Sequence, residues 1–194
     1  RGMKVDLAFH FAAIVGGRSK IDNSPLDIAK NFEFDRAFLD WARASRPDKI
    51  LYPSSSAVYP IDLQTSDDKI ILDEEMLNIE SGFFGMPDKS YGWGKLTGEF
   101  LINLLKKEDL DIKIIRPFTG YGYDQGLEYP IPAIAKRVSE FQNPLEVWGP
   151  EYQGRDLIYI TDIVDAIWKI LELPLNYEHN KFNISTGICT TFNE

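Results

Sequence analysis

Short apolar runs alternating with stretches of helical spacing constrain this chain more than any other feature. Residues 5–11 (VDLAFHF) are mostly apolar, as strands covered on both faces tend to be. Residues 26–44 carry apolar side chains at helical spacing and follow Ser24-Pro25, a good helix start. Residues 49–53 (KILYP) predict a second strand. The mixed stretch 60–90, acidic at 67–68 and 73–75, predicts a loop holding one helical turn. Residues 91–107 predict a helix with Leu96, Phe100, Leu101, Leu104 and Leu105 on one face. Residues 111–116 (DIKIIR) predict a strand halted by Pro117. Beyond them the pattern predicts a helix over 130–140 and strands at 145–148, 156–160 and 182–184. Thr161 is expected to cap a helix running to 173. This alternation is that of an open parallel α/β sheet, in which ligands sit at the carboxyl ends of strands. The serines of SSSAVYP (residues 54–60) stand at such an end.

With 194 residues, 44% apolar and 13% aromatic, the chain is sized and composed for a folded domain. A net charge of −9 with no basic cluster argues against nucleic acid. Cys189, the one cysteine, cannot form an internal disulfide, so a reducing cytoplasm is expected. No apolar run approaches the roughly 20 residues of a membrane span, and no signal peptide opens the chain. Both ends read as cut: RGMKVDLAFHF begins almost in a strand, and Thr190 or Thr191 looks like a helix N-cap with nothing after it. The expectation is an internal piece of a longer protein.

Within YGWGK, Tyr91 and Lys95 stand four apart on one helix face. That spacing is a weak signal by itself, and Tyr177 and Lys181 repeat it in a turn-rich stretch with no helix to hold them. The combination is stronger. A hydroxyl-rich strand end, a long loop and Tyr-x-x-x-Lys opening a helix resemble the short-chain dehydrogenase/reductase superfamily, in its extended, nucleotide-sugar epimerase/dehydratase branch. HFAA (10–13) resembles the family's fourth strand, Asn31 its helix asparagine, and RPF (116–118) with Tyr121-Gly122 its strand-six signature. PLEVWG (144–149) and GRDLIYITDIVDAI (154–167) resemble its substrate-lobe strand and Arg-Asp segment, and NISTG (183–187) a motif near its end.

The resemblance implies a doubly wound, Rossmann-like sheet whose N-terminal strands are missing, with a small, partial α/β substrate lobe. The dinucleotide-binding part would span 1–120 and the lobe 121–194, with residues 155–173 returning to the first. The family's glycine-rich phosphate turn is absent, as is its ribose-reading acid. GYGYDQG and GWGKLTG stand in the wrong context for a phosphate loop. Thr119 stands where the family usually has Asn, which puts one hydrogen bond to substrate or cofactor in question. Phe34-Asp35 replace a common Gly-Thr, a change expected to alter helix packing only.

The implied chemistry is specific. A phenolate at neutral pH needs a shift of about three units, roughly 4 kcal/mol, from a tyrosine's ordinary value. Lys95 would supply part of it as a neighbouring ammonium and also grip the nicotinamide ribose; a charged nicotinamide ring would supply the rest. Tyr91 would take a proton from a sugar hydroxyl, and Ser55 would hydrogen-bond the reacting oxygen. Phe11, Ala12, Ala13, Asn31, Pro117 and Phe118 would complete the NAD site, NADP not being excluded. Ser56, Thr119, Trp148 and Arg155 would contact the nucleotide-diphosphate sugar, Arg155 through its phosphates. A core role for Trp148, a surface role for Arg155 and a turn role for Ser54 and Ser56 stay open. His10 is expected to be a packed strand residue, with no metal site marked by a second ligand. In the family's dehydratases an acid follows the Ser/Thr directly, and in its C3/C5 epimerases a cysteine stands two places after it; here those places hold Ser56 and Ala57. C4 epimerisation needs neither group. A reductase or dehydrogenase of the same family, or a non-catalytic protein with this fold, are the alternatives. A homodimer through the helices at 26–44 and 91–107 is expected.

Overall fold

A computed structural model describes residues 4–64, 70–79, 81–82, 84–147 and 154–191. The first strand, β1 (Leu7–Phe9), is followed by α1 (Arg18–Asn23), α2 (Pro25–Ala29) and α3 (Asn31–Ser45). Then come β2 (Lys49–Pro53), a 3-10 turn (Ser56–Val58), α4 (Ile61–Gln64) and a second 3-10 turn (Glu74–Met76). The long helix α5 (Lys89–Asn103) tightens into a 3-10 segment (Leu104–Glu108) before β3 (Asp111–Pro117). The remainder is β4 (Thr119–Tyr121), α6 (Pro130–Ser139), β5 (Gly154–Tyr159), α7 (Ile160–Leu171), β6 (Lys181–Ile184) and β7 (Cys189–Thr191).

The main sheet is parallel throughout, in the order β1-β2-β3-β6, with Ile50 opposite Ile112 and Ile115 opposite Phe182. Successive strand residues face opposite sides, and here both sides are covered. Ile50, Tyr52, Ile112 and Ile114 pack with Ala42 of α3 and Ile102 of α5. Leu51 and Ile115 pack with Ile163 and Ile167 of α7 on the other face. This is the α/β sheet that the alternation predicts. At the amino ends of β2 and β3, Lys49 donates to the carbonyls of Leu171 and Leu173, and Lys113 to that of Pro174, occupying carbonyls that the end of α7 leaves free. A smaller sheet, β4-β5-β7, stands beyond the carboxyl end of β3; β4 and β5 are parallel, β5 and β7 antiparallel.

Several expectations are corrected. The helix expected over 26–44 is two, separated at Lys30, whose φ of −60° and ψ of −19° leave a single turn residue between them. Residues 145–147 join no strand, and Trp148 lies outside the described residues. Thr161 sits inside α7 rather than capping it, because β5 runs straight into the helix and Tyr159 becomes the N-cap. Thr190 and Thr191 cap no helix: they pair with Arg155 and Gly154 across β7 and β5. On α5, Phe100 and Leu104 are 46% and 40% exposed. The buried face instead carries Gly92, Lys95, Leu96, Glu99 and Ile102. Among the described residues no helix is long and apolar enough to cross a membrane.

Candidate active site

The site forms where β2 leaves the sheet. The Ser54 amide still donates to the Ile115 carbonyl at 2.7 Å, and the chain then turns away. Ser55 is extended, and its hydroxyl accepts from the Ala57 amide at 3.2 Å, capping the 3-10 turn. The same side chain lies beside the Tyr91 phenol and eases its pKa down. The turn reading, left open for Ser54 and Ser56, applies to Ser55 as well, whose oxygen caps the turn. Ser54 Oγ is buried without a hydrogen-bond partner among the described residues. Ser56 is half-buried in the turn itself.

Gly92 sets the distance between turn and helix. A Cβ there would lie 2.4 Å from the Ala57 carbonyl oxygen, which also accepts from the Asp88 amide at 2.9 Å. Bare backbone lets the first turn of α5 come close enough for Tyr91 to meet Ser55. Both line a cavity of about 220 Å³ with Val15, Phe118, Thr119 and Tyr129. No carboxylate borders that cavity among the described residues.

Burial pushes the Tyr91 phenol up, Ser55 beside it eases it down and nearby Tyr129 raises it. The lowering expected from Lys95 is not found, because burial outweighs the groups that act on the phenol and Lys95 is not among them. One turn along, the buried Lys95 ammonium donates to the Pro53 carbonyl at 2.8 Å and stands 5.4 Å over the Tyr52 ring. Burial lowers its pKa, while Asp35 and then Glu99 raise it. An ammonium has three donors, and among the described residues this one makes a single hydrogen bond, leaving capacity for a ribose hydroxyl. Asn31 clamps the loop after β1, accepting from the Ile14 amide at 2.6 Å and donating to its carbonyl at 3.0 Å. These residues fit the nicotinamide end of a dinucleotide.

The structure places the other expected residues variously. Phe118 and Thr119 border the cavity, and Pro117 ends β3 beside them. Ala13 is half-buried and Ala12 exposed at the carboxyl end of β1, while Phe11, 59% exposed, stacks on Phe9. Arg155 lies outside the cavity lining, on β5; desolvation of its head and neighbouring Arg18 hold its pKa down. Arg18 in turn forks onto Asp88. His10 is packed as expected but stands one residue past the end of β1, stacked 4.3 Å from Phe38 with Nε2 2.8 Å from Asp35. Lys181 begins β6 and Tyr177 lies in a turn, so that second pair has no common helix. No cluster of metal-ligating side chains occurs among the described residues.

Sequence reasoning missed three groups. Asp35, expected to matter for packing only, accepts from His10 and from the Tyr52 hydroxyl at 3.2 Å, directly behind Lys95. Its signal was present: a charged residue in place of a small one on a helix facing the sheet. Tyr129 enters the cavity as the N-cap of α6 and carried no pattern. Arg116 and Glu99, both fully buried, form a two-pronged ion pair at 2.9 and 2.8 Å. Arg116 also donates to the Tyr59 hydroxyl at 2.9 Å, which donates to Asn183 at 2.8 Å. The network ties α5 to β3 and β6 beneath the site.

Comparison with known proteins agrees with this fold. Residues 2–185 match the model of the NAD dependent epimerase/dehydratase family. YtcB of Bacillus subtilis (strain 168), described as an uncharacterized UDP-glucose epimerase, is 31% identical over 173 residues, covering 88% of this chain and 50% of that protein. GDP-L-colitose synthase of Yersinia pseudotuberculosis is 26% identical over 196 residues, covering 95% of this chain and 60% of that protein. A variant of UDP-glucuronic acid 4-epimerase from Bacillus cereus has been crystallised with NAD and UDP-4-deoxy-4-fluoro-glucuronic acid. Its structure superposes with a TM-score of 0.80 at 26% identity, over 97% of this chain and 56% of that one. The chain spans about half the length of the curated relatives it matches.

Proposed function

The chain belongs to the NAD-dependent epimerase/dehydratase family, and from that premise we propose that it carries the catalytic half of a nucleotide-sugar 4-epimerase. The observation that carries this reading is Ser55 and Tyr91 together on the wall of one cavity that, among the described residues, no carboxylate borders. NAD, when bound, would supply the acceptor that takes hydride from C4 and returns it to the other face. This chain's residues do the rest. Tyr91 accepts the proton of the C4 hydroxyl and later gives it back. Ser55 holds the reacting oxygen against the phenol, with its orientation fixed by the Ala57 amide. Lys95 offers its two uncommitted donors to the ribose. Phe11, Ala12, Ala13, Asn31, Pro117 and Phe118 frame the nicotinamide end; Ser56 and Thr119 meet the sugar, and Arg155, with Arg18 beside it, the diphosphate.

Dehydration, or inversion next to a carbonyl, needs a further acid or base. Ser56 and Ala57 provide none where the sequence pattern would put it. In the full-length protein, Tyr91→Phe is expected to lower kcat by about 100-fold or more with cofactor affinity nearly intact. Wild-type turnover in deuterated solvent is expected to interconvert C4 epimers with no deuterium at C3 or C5 and no net accumulation of reduced cofactor. Deuterium at C5, or one reduced cofactor per sugar, would overturn the 4-epimerase reading. The exposed outer faces of α3 and α5, with Trp41, Phe100 and Leu104, support a homodimer through these helices.

A further inference from the structure

We propose that Asp35 is a positioning residue for Lys95, a buried carboxylate held beneath the ammonium by His10 and Tyr52 to serve as its countercharge. The proposal rests on the reading of Lys95 as the site's ammonium. Geometry carries it. Asp35 projects from α3 toward the main sheet and is 7% exposed. Its Oδ1 faces His10 Nε2 at 2.8 Å and its Oδ2 accepts from the Tyr52 hydroxyl at 3.2 Å. Both oxygens are thereby fixed. Tyr52 is the ring over which the Lys95 ammonium stands, at 5.4 Å from its centroid. Carboxylate, phenol ring and ammonium thus form one stack running from α3 through β2 to α5.

Space for the stack is made by Gly98. A Cβ at that position would fall 1.8 Å from the Tyr52 hydroxyl and 2.8 Å from Asp35 Oδ2. No other residue leaves room for the phenol and the carboxylate to meet there.

A buried ammonium is costly unless an opposite charge lies close. Two carboxylates act on Lys95, Asp35 from α3 and Glu99 from its own helix. Glu99 is already committed to Arg116 through both oxygens, at 2.9 and 2.8 Å, with all of these atoms buried. Asp35 is bonded to an imidazole and a phenol instead, and of the two carboxylates it is the one that raises Lys95 more. The other groups that meet Lys95 among the described residues carry no charge at neutral pH: the Tyr52 ring and the Pro53 carbonyl of β2. Asp35 also makes the Tyr52 phenol harder to ionise, after burial itself. The ring beneath the ammonium therefore stays a neutral hydrogen-bond donor, fixed on the carboxylate.

The test is an NMR titration of the Lys95 side chain in the full-length protein labelled with 13C-lysine, its resonance identified by loss in Lys95→Met. Asp35→Asn keeps the size of the side chain and removes the charge; Asp35→Ser removes it while relieving contact with Tyr52, should the first variant fold poorly. Between about pH 7 and 11, above the ordinary histidine range, the Lys95 midpoint is expected to fall by about one unit or more in either folded variant. The alkaline limb of kcat/KM is expected to move down with it. An unchanged midpoint in a folded variant would overturn the proposal. A midpoint that moves while the pH–rate profile stays put would keep Asp35 as the countercharge and remove Lys95 from the catalytic reading.

Discussion

Ser55 performs two tasks with one oxygen, and they separate on mutation. Its hydroxyl accepts from the Ala57 amide and, in the proposed mechanism, holds the reacting oxygen beside the Tyr91 phenol. Ser55→Ala is expected to cost about 1 kcal/mol of stability, the value of an ordinary turn-capping bond. In turnover it is expected to cost far more, about 100-fold, because the reacting oxygen loses its partner. Urea titration and steady-state kinetics on one sample check both; equal small losses would reduce Ser55 to a turn residue. Tyrosines also set the alkaline limit. Tyr52, Tyr59 and Tyr91 are all pushed up, each first by burial. The folded chain keeps phenolic protons that the unfolded chain releases above about pH 10, so stability is constant below that and falls as pH rises beyond it. Lys95, lowered by burial, acts oppositely, adding stability as pH climbs toward 10.5. Above that value its contribution is flat and the tyrosines prevail. Unfolding midpoints are expected to be lower at about pH 11 than at about pH 9, and Tyr91→Phe to remove part of the drop.

At the scale of elements, α5 is the one that assembles the site, and its buried face is unlike an ordinary amphipathic stripe. Glycines, a lysine and a glutamate occupy positions that leucines would normally fill. Gly92 and Gly98 each answer a close approach, whereas Gly94 has open space around it. Gly92→Ala would gain up to about 1 kcal/mol of helix propensity on an exposed helix. Here its Cβ meets a backbone carbonyl at 2.4 Å, an atom with little freedom to retreat. The variant is expected to be destabilised by about 1–3 kcal/mol and to lose activity beyond that, because the clash pries the Ser55 turn from Tyr91. Retained kcat in Gly92→Ala would show that the turn and helix are less tightly coupled. Glu99 anchors the same helix from below. Glu99→Gln leaves the Arg116 guanidinium fully buried without its countercharge, and a loss of about 3–5 kcal/mol is expected in denaturant titration. A double variant with Arg116→Met is expected to recover much of it.

Across the whole molecule, apolar side chains among the described residues are exposed in several places, and two of these lie along the flanks of the main sheet. The outer faces of α3 and α5 show Phe34, Trp41, Phe100 and Leu104 at 38–46% exposure. The flank of β1 shows Phe9, Phe11 and Trp168, with the Phe9 ring stacked on Phe11 and edge-on to Trp168. Contiguous apolar patches of this kind mark surfaces that other protein covers. The full-length protein is expected to sediment as a dimer at micromolar concentration, and Trp41→Glu with Phe100→Glu to shift it toward monomer. A wild-type monomer at tens of micromolar would dismiss the helix-face dimer.

Local patterning alone was enough for the parallel α/β sheet, because strands buried on both faces must be apolar along their length and the intervening helices must bury a stripe. Ser55, Tyr91 and Lys95 became candidates only through the family resemblance, because their spacing alone is a weak signal; local patterning did no more than mark the strand end and the helix start where they sit. What the sequence left open depends on which groups meet after the sheet closes. Asp35 lies 25 residues from His10 and 17 from Tyr52, and Arg116 lies 17 from Glu99. No local preference reports a buried charge whose partner comes from another element. Only packing removed those groups from water and so made their pairing compulsory. It also turned an apparently amphipathic α5 so that its phenylalanine faces out and its glutamate faces in.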